Sequence, residues 1–155
     1  MKTEMKSRTS SMVSAGQQTA VEQIETVTQA AALFRKEIGI AGEREGVFVL
    51  PLGANGEVLK KPVLVSIGTQ KGTAEVQLGE VFAEAYKADA KALIVAHNHK
   101  SGDPKTSKAD IAFTTALKDM CDRLGNIQFL DHIIIGSPES ENGLGFVSLM
   151  ELVVR

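Results

Sequence analysis

Two histidines one residue apart, a serine and an aspartate carry the densest chemistry in this chain: His97, His99, Ser107 and Asp110. They lie in LIVAHNHKSGDPKTSKADIAF, residues 93–113, where an apolar run delivers two of the chain's three histidines. A Gly/Pro/Ser loop follows, and then an amphipathic segment opens. On a strand, the H-x-H spacing puts both imidazoles on one face, about 6.5–7 Å apart at the backbone, from where they can converge on one ion. Gly102 and Pro104 allow the loop to fold back and bring Asp110 to them. Two neutral imidazoles and one carboxylate make the donor set of a catalytic zinc centre, which leaves a fourth position for water. Zinc held there would lower the pKa of that water to about 7. The same residues also have a plain structural reading. Ser107-x-x-Asp110 fits a capping box at a helix start, and the histidines can simply end a strand in a polar loop. Spacing alone leaves both readings open.

The elements that must position these residues follow from periodicity. From Ala20 to Ile38 the apolar residues keep helical spacing, with Gly39 and Gly42 as the stop. GVFVLPL and VLKKPVLVSIG read as strands joined through Asn55-Gly56, a favoured pair for a tight hairpin turn. LGEVFAEAYKAD reads as a helix with Val81, Phe82 and Ala85 inward and Glu80, Glu84 and Lys87 outward. ALIVA has the continuous apolar character of a central strand covered on both faces. A second long helix is expected from about Ser107 to Leu124, stopping at Gly125. IQFLDHIIIG and GFVSLMEL supply the last strands, separated by the turn-rich SPESENGL. The expected fold is α/β or α+β: one domain over residues 19–155, with a mixed central sheet and helices on its faces. Residues 1–18, polar and aperiodic, are expected to form a flexible tail.

Composition narrows the function classes. With 155 residues, 43% hydrophobic and 23% charged, the chain suits one domain with a full core. A formal net charge of −2 gives no global footprint for nucleic acid. The single Cys121 excludes an intrachain disulfide and a Cys-rich zinc module, and its helical apolar surroundings read as a core thiol. The N-terminus lacks a signal-peptide apolar run, and no stretch approaches the length of a membrane span, so no membrane partner and a cytoplasmic location are expected. Zinc deaminases require H-x-E followed by P-C-x-x-C, which is absent, as is H-E-x-x-H.

The pattern H-x-H, seven residues, Ser, two residues, Asp in AHNHKSGDPKTSKAD resembles the metal signature of the JAB/MPN (JAMM) metalloproteases. The wider run EVFAEAYKADAKALIVAHNHKSGDPKTSKADIAFTTAL, with FLDHIIIG, is more similar to the RadC branch, over roughly residues 43–150. The resemblance implies a JAB/MPN domain of cytidine-deaminase-like layout, holding one zinc ion through His97, His99 and Asp110. It implies hydrolysis of an amide or isopeptide bond in a protein or peptide. RadC-like members carry an Arg-Glu pair before a hydrophobic strand, which matches REGVFVLPL. Glu45 is thus the implied general base, with Glu43 as its near neighbour. Ser107 is the implied donor to the oxyanion, in competition with its role as a cap.

The chain departs from the branch at Lys100 and Thr106, where prolines are common. Lys100, Lys105 and Lys108, set against Asp103 and Asp110, leave the rim a net +1, which could favour an anionic partner such as nucleic acid. Solvated surface is the plainer reading of those lysines. Branch members typically have a helix-hairpin-helix-like region ahead of this domain. Only a tail and a short helix precede it in this sequence, so the historical DNA-repair association is expected to transfer poorly. A nucleic-acid-associated accessory protein with a structural or vestigial zinc, and a phosphodiester hydrolase, are the alternatives. His132, in LDHIII, is either a structural strand residue, the favoured reading, or a partner behind the metal site, alone or with Asp131.

Overall fold

The computed structural model describes residues 22–38, 44–67, 74–99, 101–137 and 145–150, with residues 74–77 as backbone only. The expected tail, Gly39, Gly42, Glu43, Lys100 and most of the SPESENGL turn lie outside the described residues. Among the described residues, three helices and five strands run in the order α1 (Val27–Glu37), β1 (Gly46–Leu52), β2 (Val63–Ile67), α2 (Ala74–Lys87), β3 (Ala92–Asn98), α3 (Lys108–Leu124), β4 (Gln128–Ile135) and β5 (Phe146–Ser148). The strands form one mixed sheet ordered β2-β1-β3-β4-β5. β3 pairs in parallel with β4, and every other pairing is antiparallel. This is the α+β domain with a mixed central sheet expected from the sequence.

Alternation along the inner strands sorts two cores. Val47 and Val49 of β1 and Leu93 and Val95 of β3 face α2 and α3, where they meet Val81, Phe82, Phe113 and Leu117. Phe48, Leu50, Ala92, Ile94 and Ala96 face the other way onto Ala30, Ala31, Leu33 and Phe34 of α1. Each large apolar side chain enclosed in this way contributes about 1.5–3 kcal/mol. Cys121 is buried in the first core, which pushes its thiol up to about 11 and leaves it an inert packing group.

Three expected elements are shorter than their periodicity suggested. The helix expected from Ala20 begins at Val27, because Thr26 caps it with a full capping box closed by Gln29. The residues just ahead run extended instead, and Gln23 bridges Glu57 beside the β1–β2 loop. Pro62 precedes β2, so the strand starts at Val63, and Val58 makes only an isolated bridge to Leu52. β5 is three residues long, and Met150 already has helical backbone. In contrast, α2 starts earlier than expected, at Ala74.

β4 carries an irregularity. Leu93 pairs with Phe129 but Ile94 pairs with Asp131, so one extra residue sits in β4. At its C-terminal end, Gly136 lies so close to the loop after β3 that a Cβ there would overlap the Gly102 carbonyl oxygen and the Pro104 ring. Gly102 itself has φ 82°, a left-handed conformation suited to glycine. From the opposite face of the sheet, Arg35 of α1 donates to the carbonyls of Gly136 and Gly145 at 2.9 and 3.2 Å.

Candidate metal centre

His97, His99, Glu45 and Ser107 come to one end of the central strands because of strand direction. β1 and β3 are antiparallel, so the start of β1 lies beside the end of β3. Val47 pairs with His97, and continuing that register sets Glu45 opposite His99. His97 has the same parity as Leu93 and Val95, so its ring points to the α2/α3 side. There α3 begins, with Ser107 as N-cap and Asp110 as its third residue. The expected stop at Gly125 is also observed, as a left-handed C-cap.

The capping box is complete. Asp110 N–H donates to Ser107 Oγ at 3.1 Å, and Ser107 N–H donates to Asp110 Oδ2 at 2.8 Å. The structural reading of Ser107-x-x-Asp110 is observed, and it leaves room for the metal reading. The cap fixes the carboxylate, and the carboxylate meets both histidines. His97 Nε2 lies 3.2 Å from Asp110 Oδ1, and His99 Nε2 lies 3.2 Å from Asp110 Oδ2. One ligand atom from each of the three residues falls within 4.8 Å of the others, so the group could hold a metal ion. The conflict expected between the two tasks of Ser107 does not arise. As a cap its hydroxyl accepts, and the O–H proton is left for another acceptor.

Burial and charge set the protonation states. Burial holds His97 below the usual imidazole range, against the pull of the Asp110 charge. His99 is raised above it, chiefly by its hydrogen bond with Asp110, against burial. Burial works against ionisation of Asp110, yet the contacts with His99 and Ser107 outweigh it and keep the carboxyl well below the usual range. Glu45 is exposed, and its charge favours the protonated form of both His97 and His99, which places it within electrostatic reach of the pair.

Each ring is held by its other nitrogen as well. His99 Nδ1 sits 2.9 Å from the Asp103 carbonyl oxygen. His97 Nδ1 sits 3.1 Å from His132 Nε2, and His132 Nδ1 sits 2.8 Å from Thr114 Oγ1. His132 thus stands directly behind His97, where both the structural reading and the partner reading place a polar contact. Asp131 does not share that position. Its Oδ1 accepts from the backbone N–H of His132 and Met150, and its Oδ2 accepts from Ser148 Oγ. Thr114 escaped sequence reasoning, although its place four residues after Asp110 on the same helix face was the available signal. Lys105 and Lys108 are exposed on the approach.

Asn98, the residue between the histidines, was also missed. It points away from them and is buried, with Gly46 N–H donating to its Oδ1 at 2.9 Å. Its Nδ2 donates to the Arg44 carbonyl at 3.0 Å. The amide therefore grips the backbone on both sides of Glu45. Asn98→Ala is expected to leave the buried Gly46 N–H without this acceptor and to destabilise the protein by about 1–3 kcal/mol. Denaturant unfolding of the metal-free protein measures this. An unchanged midpoint would mean that β1–β3 pairing alone fixes the Glu45 backbone.

Among the described residues, no helix is long and apolar enough to cross a membrane. The chain is similar to a UPF0758 protein of Carboxydothermus hydrogenoformans, 43% identical over 94 residues, covering 61% of this chain and 40% of that protein. A UPF0758 protein of Clostridium perfringens is 35% identical over 108 residues, covering 70% of this chain and 44% of the relative. One from Bacillus pumilus is 40% identical over 108 residues, again covering 70% and 44%. The chain thus matches less than half the length of these curated relatives. Residues 24–152, which include every element that builds the His97/His99/Asp110 group, match the family model of the RadC-like JAB domain, and the chain belongs to that family.

Proposed function

We propose that this chain is a zinc-dependent hydrolase of JAMM type that cleaves amide or isopeptide bonds in a protein or peptide. The supporting observation is a convergence of electron pairs. The Asp103 carbonyl can only accept, so its 2.9 Å contact calls for a hydrogen on His99 Nδ1. A neutral His99 then turns a bare Nε2 toward an ionised carboxylate 3.2 Å away. Two such lone pairs repel each other unless a proton or a metal ion stands between them, and the site is therefore built to hold one or the other. Neighbouring corners of a tetrahedral zinc site, with donors about 2.0–2.1 Å from the ion, are roughly 3.3 Å apart. Each imidazole Nε2 lies 3.2 Å from its own oxygen of the Asp110 carboxylate, close to that spacing, and with one ligand atom per residue the three donors fall within 4.8 Å of one another.

His97, His99 and Asp110 would hold the ion, which supplies Lewis acidity and a nucleophile usable at neutral pH. The chain's own groups do the rest. Glu45, opposite His99, takes a proton from the attacking water and returns it to the leaving amine. Ser107, with its hydroxyl proton unused by the cap, donates to the carbonyl oxygen as negative charge develops there.

Zinc titration of chelator-treated protein tests the metal. We expect about one equivalent per chain, with affinity rising with pH. The sign follows from His99: its pKa is raised, so a proton occupies the metal-free site below that value and competes with zinc. In the metal-free protein the same proton has the opposite effect on folding. The stability that charged His99 contributes is fully present below pH 6.5 and is lost as pH rises through its raised folded value. Failure to take up zinc at any pH would remove the proposed function.

A further inference from the structure

We infer that His132 and Thr114 form a proton-directing chain that sets the tautomer of His97, making them positioning residues for the metal centre. This rests on the zinc reading above and extends it to residues that touch neither ion nor substrate. His132 and Thr114 are fully buried. The Phe113 ring stands edge-on to His132 with centroids 5.5 Å apart and an interplanar angle of 85°, which helps fix the imidazole plane. His132 is fully enclosed, and its two ring nitrogens face an imidazole and a hydroxyl, so a neutral ring with one proton on one of two nitrogens suits the site.

Counting donors and acceptors then leaves few arrangements. An ion on His97 Nε2 needs a lone pair there, so the proton of His97 must sit on Nδ1. That N–H donates to His132 Nε2 at 3.1 Å, which must be bare. The proton of His132 is then on Nδ1 and donates to Thr114 Oγ1 at 2.8 Å. The Thr114 hydroxyl in turn donates to the Asp110 backbone carbonyl at 2.8 Å. The chain starts at one ligand and ends on the backbone of another, and each donor meets one acceptor. Without an ion the reverse order also satisfies the rings. Thr114 then donates to His132 Nδ1, His132 Nε2–H to His97 Nδ1, and His97 Nε2–H points to Asp110 Oδ1 3.2 Å away. The two orders differ in tautomer and not in charge. Thr114 is the fork, since its single proton goes either to Asp110 or to His132.

Nitrogen-15 NMR of histidine-labelled protein reads the tautomers directly, with only three histidines to assign. Zinc-loaded protein should carry the proton on Nδ1 in both His97 and His132. A proton on Nε2 of His132 with zinc bound would overturn the inference, and this measurement needs no variant. Thr114→Val keeps the side-chain shape and removes the fork. We expect it and His132→Leu to weaken zinc binding about 10–100-fold, the usual scale for partners behind a ligand. His132→Gln should recover part of that loss, because an amide oxygen can still accept from His97 Nδ1–H. Folded Thr114→Val with wild-type zinc affinity would overturn the inference while leaving the zinc reading intact. Wild-type protein that binds no zinc would overturn both.

Discussion

Replacing Asp110 with asparagine is expected to strip the site of zinc while leaving α3 in place. Asp110 is the only anion among the three candidate ligands, and it is buried between two imidazoles. Asparagine keeps an oxygen that can accept from Ser107 N–H, so the cap largely survives. It loses the negative charge that balances a divalent ion. The drop in zinc affinity should exceed the roughly 10–100-fold seen for residues behind a ligand. Asp110→Ala separates the two duties of this residue. It removes the cap carboxylate as well, at about 0.5–2 kcal/mol. For a chain of this size that is roughly 2–4 °C in melting temperature per kcal/mol. Metal analysis of the purified variants, with thermal melts of their metal-free forms, checks both parts. Asp110→Asn that retains a full equivalent of zinc would remove this carboxylate from the ligand set.

Glu45→Gln should give the opposite combination: full zinc content and almost no hydrolysis. Glutamine matches glutamate in shape but cannot take a proton, so the loss should be on the order of 10²–10⁴ in turnover, the usual contribution of a positioned general base. The residue is exposed, unlike the ligands, and its backbone is gripped by Asn98 on both sides. The substitution should therefore leave stability nearly unchanged. A fluorescence-quenched peptide library, followed by the hydrolysis of any peptide the wild type cleaves, provides the assay. Unchanged turnover would reassign the base, with Glu43 the next residue to test.

The clustering of His97, His99 and Asp110 was legible in the sequence because its spacing is local. H-x-H on a strand and Ser-x-x-Asp at a helix start each lie within one element, and each element formed where periodicity put it. The helix cap that is observed does not exclude a metal-ligand role. A carboxylate has two oxygens and a hydroxyl has both lone pairs and a proton, so Ser107 and Asp110 can fill both roles. His132 was harder to read. Side chains in a strand alternate faces, and the extra residue between Phe129 and His132 shifts the phase within FLDHIII. Counting from Phe129 without that shift turns His132 toward α1. With it, His132 pairs with Val95 and reaches Thr114. Bulges of this kind leave no residue signature, so the contact with His97 becomes visible only once register is known.

Arg35 gives the site an anchorage on the far side of the sheet. Its guanidinium holds the Gly136 carbonyl from the α1 face, while the Ser137 N–H that follows donates to the Gly102 carbonyl. Gly102 belongs to the same short loop as Asp103, whose carbonyl holds the His99 ring. One cationic side chain on the first helix thus braces the loop that aims the His99 ring on the opposite face. Wear at that brace would show first in the aim of His99, well before the fold itself gave way.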